Sequence, residues 1–259
     1  MRTHTLILTA SIFSFINSCA WVEGIESLDS ASEIQADFLH KVVEKSGSGT
    51  RLHVYIEGDG KPWRTKYAIA RDPSPRKPLM LKLMNLDPAN ALYLGRPCYY
   101  QTIDEKCNAH WWTDARYSRR VVDSMNQALD KFSDRSVQKI LIGHSGGGTL
   151  AALMAGTRRD VEAVVTLAGN LNVLAWTKHH GYTPLKNSLD PAEQEPLPEN
   201  IRQVHMLGGD DQVIKREMLE GYTERQLGTA GIILVDSYGH SCCWHKEWPE
   251  ILKRNDLSE

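Results

Sequence analysis

One junction constrains the chain more than any other feature. Residues 137–142 (VQKILI) form an apolar run of strand length, and residues 146–155 (GGGTLAALMA) are small and apolar enough for a buried helix. Between them stands Gly143-His144-Ser145-Gly146-Gly147, the G-x-S-x-G pattern. A serine at so sharp a strand-to-helix turn is held in strained backbone geometry, with its oxygen raised above the sheet. Glycines two residues before and two after it remove side chains that would collide as strand and helix approach. The five letters recur by chance; their place after a strand and before a helix makes Ser145 a candidate nucleophile. Without that role the segment is a Gly-rich turn with an N-capping serine.

Apolar runs of the same kind recur along the chain. They predict strands at 52–56 (LHVYI), 91–94 (ALYL), 161–167 (VEAVVTL), 202–207 (RQVHML) and 231–235 (GIILV), besides 137–142. Helices are predicted at 76–84, 146–155 and 215–227, and at 116–132, where Val121, Val122, Met125, Ala128, Leu129 and Phe132 fall at helical spacing. Residues 244–253 close the chain as a helix, with Pro249 marking a kink or boundary. The segment 34–45 fits either period through Ile34, Phe38, Leu39, Val42 and Val43. It is read as an edge strand leading through Ser46-Gly47-Ser48-Gly49 into the strand at 52. Strands separated by helices predict an α/β fold, a mostly parallel central sheet with helices on both faces. Ligands then sit beyond the carboxyl ends of the strands.

The N-terminus is read as lying outside that fold. Arg2 and His4 precede an apolar run at 6–16, the length of a signal-peptide core and too short to span a bilayer as a helix. Ile16-Asn17-Ser18-Cys19 resembles a bacterial lipobox, in which Cys19 is lipidated and residues 1–19 form the signal peptide. Cleavage after Ala20 is the alternative, since Ser18-Cys19-Ala20 is also small-x-small; a buried N-terminal element is the remaining one. The expectation is export to the cell envelope, on the periplasmic side and membrane-anchored through Cys19, or otherwise secretion. Residues 20–259 then form one domain.

Export bears on the cysteines. Cys98, Cys107, Cys242 and Cys243 remain, an even number suited to an oxidising compartment, with three pairings open. Cys98 with Cys107 is favoured because it closes a short loop, which leaves Cys242 and Cys243 free or joined as neighbours; crossed pairing is the alternative. A zinc site is disfavoured, because neither pair has Cys-x-x-Cys spacing. His179-His180 would point to opposite faces of an extended segment, which fits a solvated loop better than a metal site. The formal net charge is −2 with no basic block, so nucleic-acid binding through phosphate neutralisation has nothing to start from.

The segments VYIEGDG, YLGRPC and GHSGGG resemble the α/β-hydrolase family, in particular its bacterial lipoprotein-like serine hydrolases of undefined substrate. The resemblance runs across residues 52–248 and implies an α/β-hydrolase fold with the chain order nucleophile, acid, base. Gly208-Gly209-Asp210-Asp211-Gln212-Val213 follows one strand, and Tyr238-Gly239-His240-Ser241 follows the next. His240 is therefore the expected base, with His245 as runner-up. The G-x-x-D-x-V form resembles the acid loop of the family, which favours Asp211 over Asp210; either aspartate could instead cap the helix starting near Lys215.

Two backbone N–H groups are expected to bind an oxyanion: that of Gly146, and that of Asp59 or Gly60. Glu57-Gly58-Asp59-Gly60 resembles the His-Gly loop of the family with Glu in place of His, and the Asp59 carboxylate would then have to point away from the anion. Trp111-Trp112 is read either as a wall of the substrate pocket or as a loop anchor. Arg96 and Arg116 could meet a substrate carboxylate, although surface ion pairs are commoner. The proline-rich insert at 170–200 occupies the place of the family's cap and is short.

The resemblance implies acyl transfer to water from a small-molecule or acyl substrate, an ester foremost, through an acyl-enzyme and without metal or organic cofactor. Amide or thioester cleavage uses the same triad. A non-catalytic envelope lipoprotein that uses the fold for binding is the reading from a different class.

Overall fold

Successive side chains of a strand point to opposite faces, and in this chain both faces are covered. Val54 and Ile56 enter one core cluster, while Tyr55 between them enters another. Ile140 and Ile142 join Tyr55, whereas Leu141 joins Val54. Burial on both sides is why these segments read as continuous apolar runs rather than as alternating ones.

The computed structural model describes residues 31–227 and 230–257. The proposed signal peptide, Cys19 and Ala20 lie outside the described residues. The chain runs through β1 (Ser32–Gln35), β2 (Leu39–Lys45), β3 (Ser48–Ile56), β4 (Trp63–Thr65), β5 (Ala68–Ile69), α1 (Leu79–Leu86) and β6 (Ala89–Leu94). It continues through α2 (Arg119–Phe132), β7 (Lys139–His144), α3 (Gly146–Ala155), β8 (Val161–Leu167) and α4 (Val173–His179). It ends with β9 (Arg202–Gly208), α5 (Arg216–Thr223), β10 (Ala230–Val235) and α6 (Trp248–Arg254). Eight strands form the main sheet in the order β1-β2-β6-β3-β7-β8-β9-β10. From β6 to β10 every neighbouring pair is parallel; β2 alone runs antiparallel to both its neighbours.

Helices α2 and α3 cover one face of the sheet, and α1 and α6 cover the other. In α2 the buried residues Val121, Val122, Met125, Ala128 and Leu129 line one side, and the Ser118 hydroxyl accepts the Val121 N–H as its N-cap. Every residue of α3 is buried, as its small apolar composition predicts.

Three expectations change in detail. Residues 34–45 are not one edge strand but the antiparallel pair β1 and β2, with the turn between Gln35 and Leu39. The closing helix begins only at Trp248, after a single turn at Trp244–Lys246, and Pro249 lies in its first turn, where a missing N–H costs nothing. His179 and His180 sit at the end of α4 rather than on an extended segment, and His180 Nε2 bonds the Val213 carbonyl across 2.8 Å. Cys98 is bonded to Cys107 with an S–S distance of 2.06 Å, and Cys242 to Cys243.

Candidate active site

Ser145 follows β7 directly and precedes α3, at the carboxyl edge of the parallel strands. Its backbone is held at φ 51° and ψ −119°, a conformation that a residue with a side chain adopts only where its surroundings enforce it. The enforcement is visible. Ser145 N–H donates to the Leu167 carbonyl of β8 (3.0 Å), and its own carbonyl accepts the N–H groups of Gly148 (3.0 Å) and Asn170 (3.1 Å). A side chain at Gly147 would place Cβ 2.2 Å from the Ile56 carbonyl oxygen, so α3 can approach β3 this closely only without one.

Asp211 and His240 come from the ends of β9 and β10. His240 Nδ1 lies 2.9 Å from Asp211 Oδ2, while Asp211 Oδ1 accepts the N–H groups of Val213 (2.7 Å) and Ile214 (3.0 Å). Asp211 thus orients the imidazole and caps the turn before α5 at once, the two roles that were alternatives in the sequence. Burial works to raise the Asp211 pKa, but the His240 bond and charge, with the two backbone donors, outweigh it and hold the carboxyl below its ordinary range. Asp210 is exposed and contributes a backbone N–H to the Tyr238 carbonyl. His245 lies in the turn Trp244–Lys246, and burial, with nearby Lys82 and Lys246, lowers its pKa.

His144, which the motif leaves as its variable letter, ties the end of β7 to the loop after β10. Its Nε2 lies 2.8 Å from the His240 carbonyl oxygen, and the two imidazole rings are 4.8 Å apart. Burial, and secondarily the neighbouring His240, push its pKa down to about 4, so the ring is neutral at physiological pH. A carbonyl only accepts, so Nε2 carries the proton. A Cβ placed on Gly58 would stand 3.1 Å from His144 Nδ1 and 3.5 Å from Ser145 Cβ, which puts the loop after β3 against both residues.

That loop is held at each end. Glu57 accepts the Met80 N–H of α1 (3.0 Å) and the Gly58 N–H (3.3 Å), and burial raises its carboxyl to about 7. Lys61 N–H donates to the Pro73 carbonyl (2.7 Å). With the Gly58 and Lys61 donors engaged, Asp59 and Gly60 supply the loop's remaining N–H groups.

Arg96 and Arg116 do not wait for a substrate. Arg96 Nη1 lies 2.5 Å from Asp59 Oδ1, Arg116 Nη1 lies 2.9 Å from Oδ2, and the Tyr117 hydroxyl donates to Oδ2 (2.6 Å). Burial opposes ionisation of Asp59, yet Arg116 and Arg96 dominate and hold its carboxyl far below the usual range. A Cβ on Gly146 would stand 2.2 Å from Asp59 Oδ1, so the carboxylate lies against the residue after Ser145 rather than away from it. Two guanidinium groups and one carboxylate leave one positive charge there. Nothing local announces this cluster, because Asp59 is 37 residues from Arg96 and 57 from Arg116.

The tryptophans make the contacts of loop anchors. Trp112 is buried and donates from Nε1 to the Ala70 carbonyl (3.1 Å), and Trp111 packs edge-on against Phe38 at 5.1 Å and beneath the Arg120 guanidinium at 5.1 Å.

No protein-family model matches the chain, and no curated protein matches it in sequence. Solved structures do match in shape. An esterase from Pyrococcus furiosus superposes with a TM-score of 0.60 at 13% identity, covering 86% of this chain and 90% of that one. An alpha-beta serine hydrolase homologue from Coxiella burnetii gives 0.54 at 11% identity, over 87% and 96%. A membrane phospholipase A gives 0.57 at 14% identity, over 91% and 88%. The chain has the α/β-hydrolase fold.

Proposed function

We propose that this α/β-hydrolase fold carries a serine esterase working through an acyl-enzyme. The observation that carries the reading is the 2.9 Å bond between His240 Nδ1 and Asp211 Oδ2, at strand ends that share an edge with a backbone-strained Ser145. A carboxylate on Nδ1 fixes the tautomer that leaves Nε2 unprotonated and able to accept a proton.

His240 Nε2 takes the Ser145 hydroxyl proton as Oγ attacks the ester carbonyl carbon. The carbonyl π pair moves onto oxygen, and the anion is received by the Gly146 N–H with the Asp59 or Gly60 N–H. Collapse re-forms the carbonyl and expels the alkoxide, which takes the proton from His240 and leaves as the alcohol. Water then repeats the sequence against the acyl-enzyme, releasing the acid and restoring Ser145. Asp211 stays ionised and stabilises the imidazolium in both halves. The Asp59 carboxylate would oppose an oxyanion if it stood bare; its two guanidinium partners reverse that sign.

The enzyme acts outside the cytoplasm, and it is tethered to a membrane if Cys19 is lipidated. Hydrolysis of a p-nitrophenyl ester series from acetate to palmitate, by wild type and Ser145→Ala, tests the reaction. Turnover that disappears in the variant supports it, and the chain-length profile sizes the acyl site. Absence of turnover on every ester overturns the esterase reading, in favour of a binding protein if a fluorophosphonate also fails to label the chain and of an amidase or thioesterase if it labels Ser145.

A further inference from the structure

Past the oxyanion loop the chain turns outward into the β4–β5 hairpin. Its base is closed by Lys61 N–H on the Pro73 carbonyl (2.7 Å) and Ala70 N–H on the Pro62 carbonyl (2.8 Å), and Trp112 ties Ala70 to the domain. Beyond that base every residue from Trp63 to Ile69 is exposed. Trp63 is 43% exposed, Tyr67 85% and Ile69 40%. The two strands pair Trp63 with Ile69, so the apolar side chains stand together on one short ribbon.

Cations surround them. Lys61, Arg64, Lys66, Arg71, Arg76 and Lys77 are all exposed, against Asp72 as the one acid between 61 and 77, in a chain whose net charge is −2. Apart from the adjacent Arg76 and Lys77 they are spaced singly, so the sequence shows no basic block. Asp72 is occupied by the Ser74 N–H (2.9 Å) and hydroxyl (2.5 Å). Ile103, 92% exposed, stands on the neighbouring Cys98–Cys107 loop, which shares a cleft of about 550 Å³ with Arg71, Asp72 and Trp112.

A hairpin that merely packed on the domain would bury its aromatic residues, and one that was merely solvated would have no use for three large apolar ones. Aromatic side chains settle at the headgroup level of a bilayer, and exposed cations are drawn to anionic lipid. We propose that the β4–β5 hairpin docks this protein on an anionic lipid bilayer. Trp63, Tyr67 and Ile69 enter the boundary between headgroups and acyl chains, and Lys61, Arg64, Lys66 and Arg71 meet the lipid phosphates. The hairpin leaves the oxyanion loop directly, so docking turns the Ser145 edge of the sheet toward the membrane.

The test is flotation of the full chain with vesicles of phosphatidylcholine alone or mixed with phosphatidylglycerol. Wild type is compared with Trp63→Ser/Tyr67→Ser/Ile69→Ser and with Arg64→Glu/Lys66→Glu. Residues 1–30 are common to all three proteins, so their own affinity for lipid cancels. The expected result is a preference of wild type for the anionic vesicles of about tenfold or more, lost in both variants. Thermal melts and p-nitrophenyl acetate hydrolysis should stay as in wild type. Equal binding to both vesicle types, or variants that float as wild type does, overturns the proposal and makes an acidic protein surface the better occupant. Flotation is read without turnover, so a protein that hydrolyses no ester yet still floats defeats the esterase reading alone.

Discussion

His144 reaches the backbone of His240 across 2.8 Å, so the residue before Ser145 holds the His240 carbonyl. The link ties the end of β7 to the loop after β10, 96 residues apart in sequence. Because burial keeps His144 neutral, its direction is fixed: Nε2 donates and the carbonyl accepts.

A variant that cannot donate should misplace the imidazole. His144→Leu is expected to lose about a hundredfold in kcat with little change in KM, the scale of a base moved by roughly 1 Å. His144→Gln can donate its amide proton to the same carbonyl and should recover most of the loss. Steady-state kinetics across pH on the two variants checks this; a Leu variant as active as wild type would remove His144 from the account.

The Asp59 cluster should matter to folding and to rate. Asp59→Asn leaves two buried guanidinium groups facing a neutral amide, a change that costs about 3–5 kcal/mol when one partner of a buried pair is removed. The same change loosens the loop beside Gly146, so kcat should fall at least about tenfold. Urea denaturation and kinetics on one preparation separate the effects, and loss of stability with kcat intact would show that the loop does not depend on the clamp.

Stability should fall as pH drops below neutrality, and the sign follows from opposing groups. Glu57 is raised from 4.5 to about 7 by burial, so its contribution is full below about 4.5 and is lost as pH rises to about 7. Burial holds His40 and His144 at about 4 and His205 at about 3, against 6.5 when unfolded. Their contribution is present above 6.5 and is lost as pH falls toward 4. Between 4.5 and 6.5 three unfolded-state protons compete with one folded-state proton, and the histidines win. Urea melts from pH 7 to pH 5 should lose about 2–4 kcal/mol, and Glu57→Gln should steepen the decline. A chain that grows more stable on acidification contradicts the assignment.

How much was legible followed the range of each interaction. Strands β7 and β8 are readable because burial on both faces writes a mostly apolar run, and Ser145 because its turn is local. Residues 34–45 were ambiguous because Ile34, Phe38, Leu39, Val42 and Val43 satisfy both periods, and only the pairing of Ser32 with Val42 decides for two strands. Asp211 and His240 were accessible through chain order, while their contact spans 29 residues and needs the sheet to close it. For Arg96 and Arg116 the sequence offers a substrate carboxylate or a surface ion pair, and not the buried pairing with Asp59, because a lone arginine carries no sign of a carboxylate 37 or 57 residues away. The hairpin cations Lys61, Arg64, Lys66 and Arg71 form no run in the sequence because they are spaced singly.

In the proposed reaction Ser145 is the nucleophile, activated by His240 and Asp211. Reaction of the wild-type protein with a fluorophosphonate, followed by peptide mass spectrometry, tests it most directly. A single phosphonylated residue is expected, Ser145, with labelling abolished in Ser145→Ala and slowed at least about a hundredfold in His240→Ala. Labelling at another residue, or labelling that persists unchanged in Ser145→Ala, would contradict it.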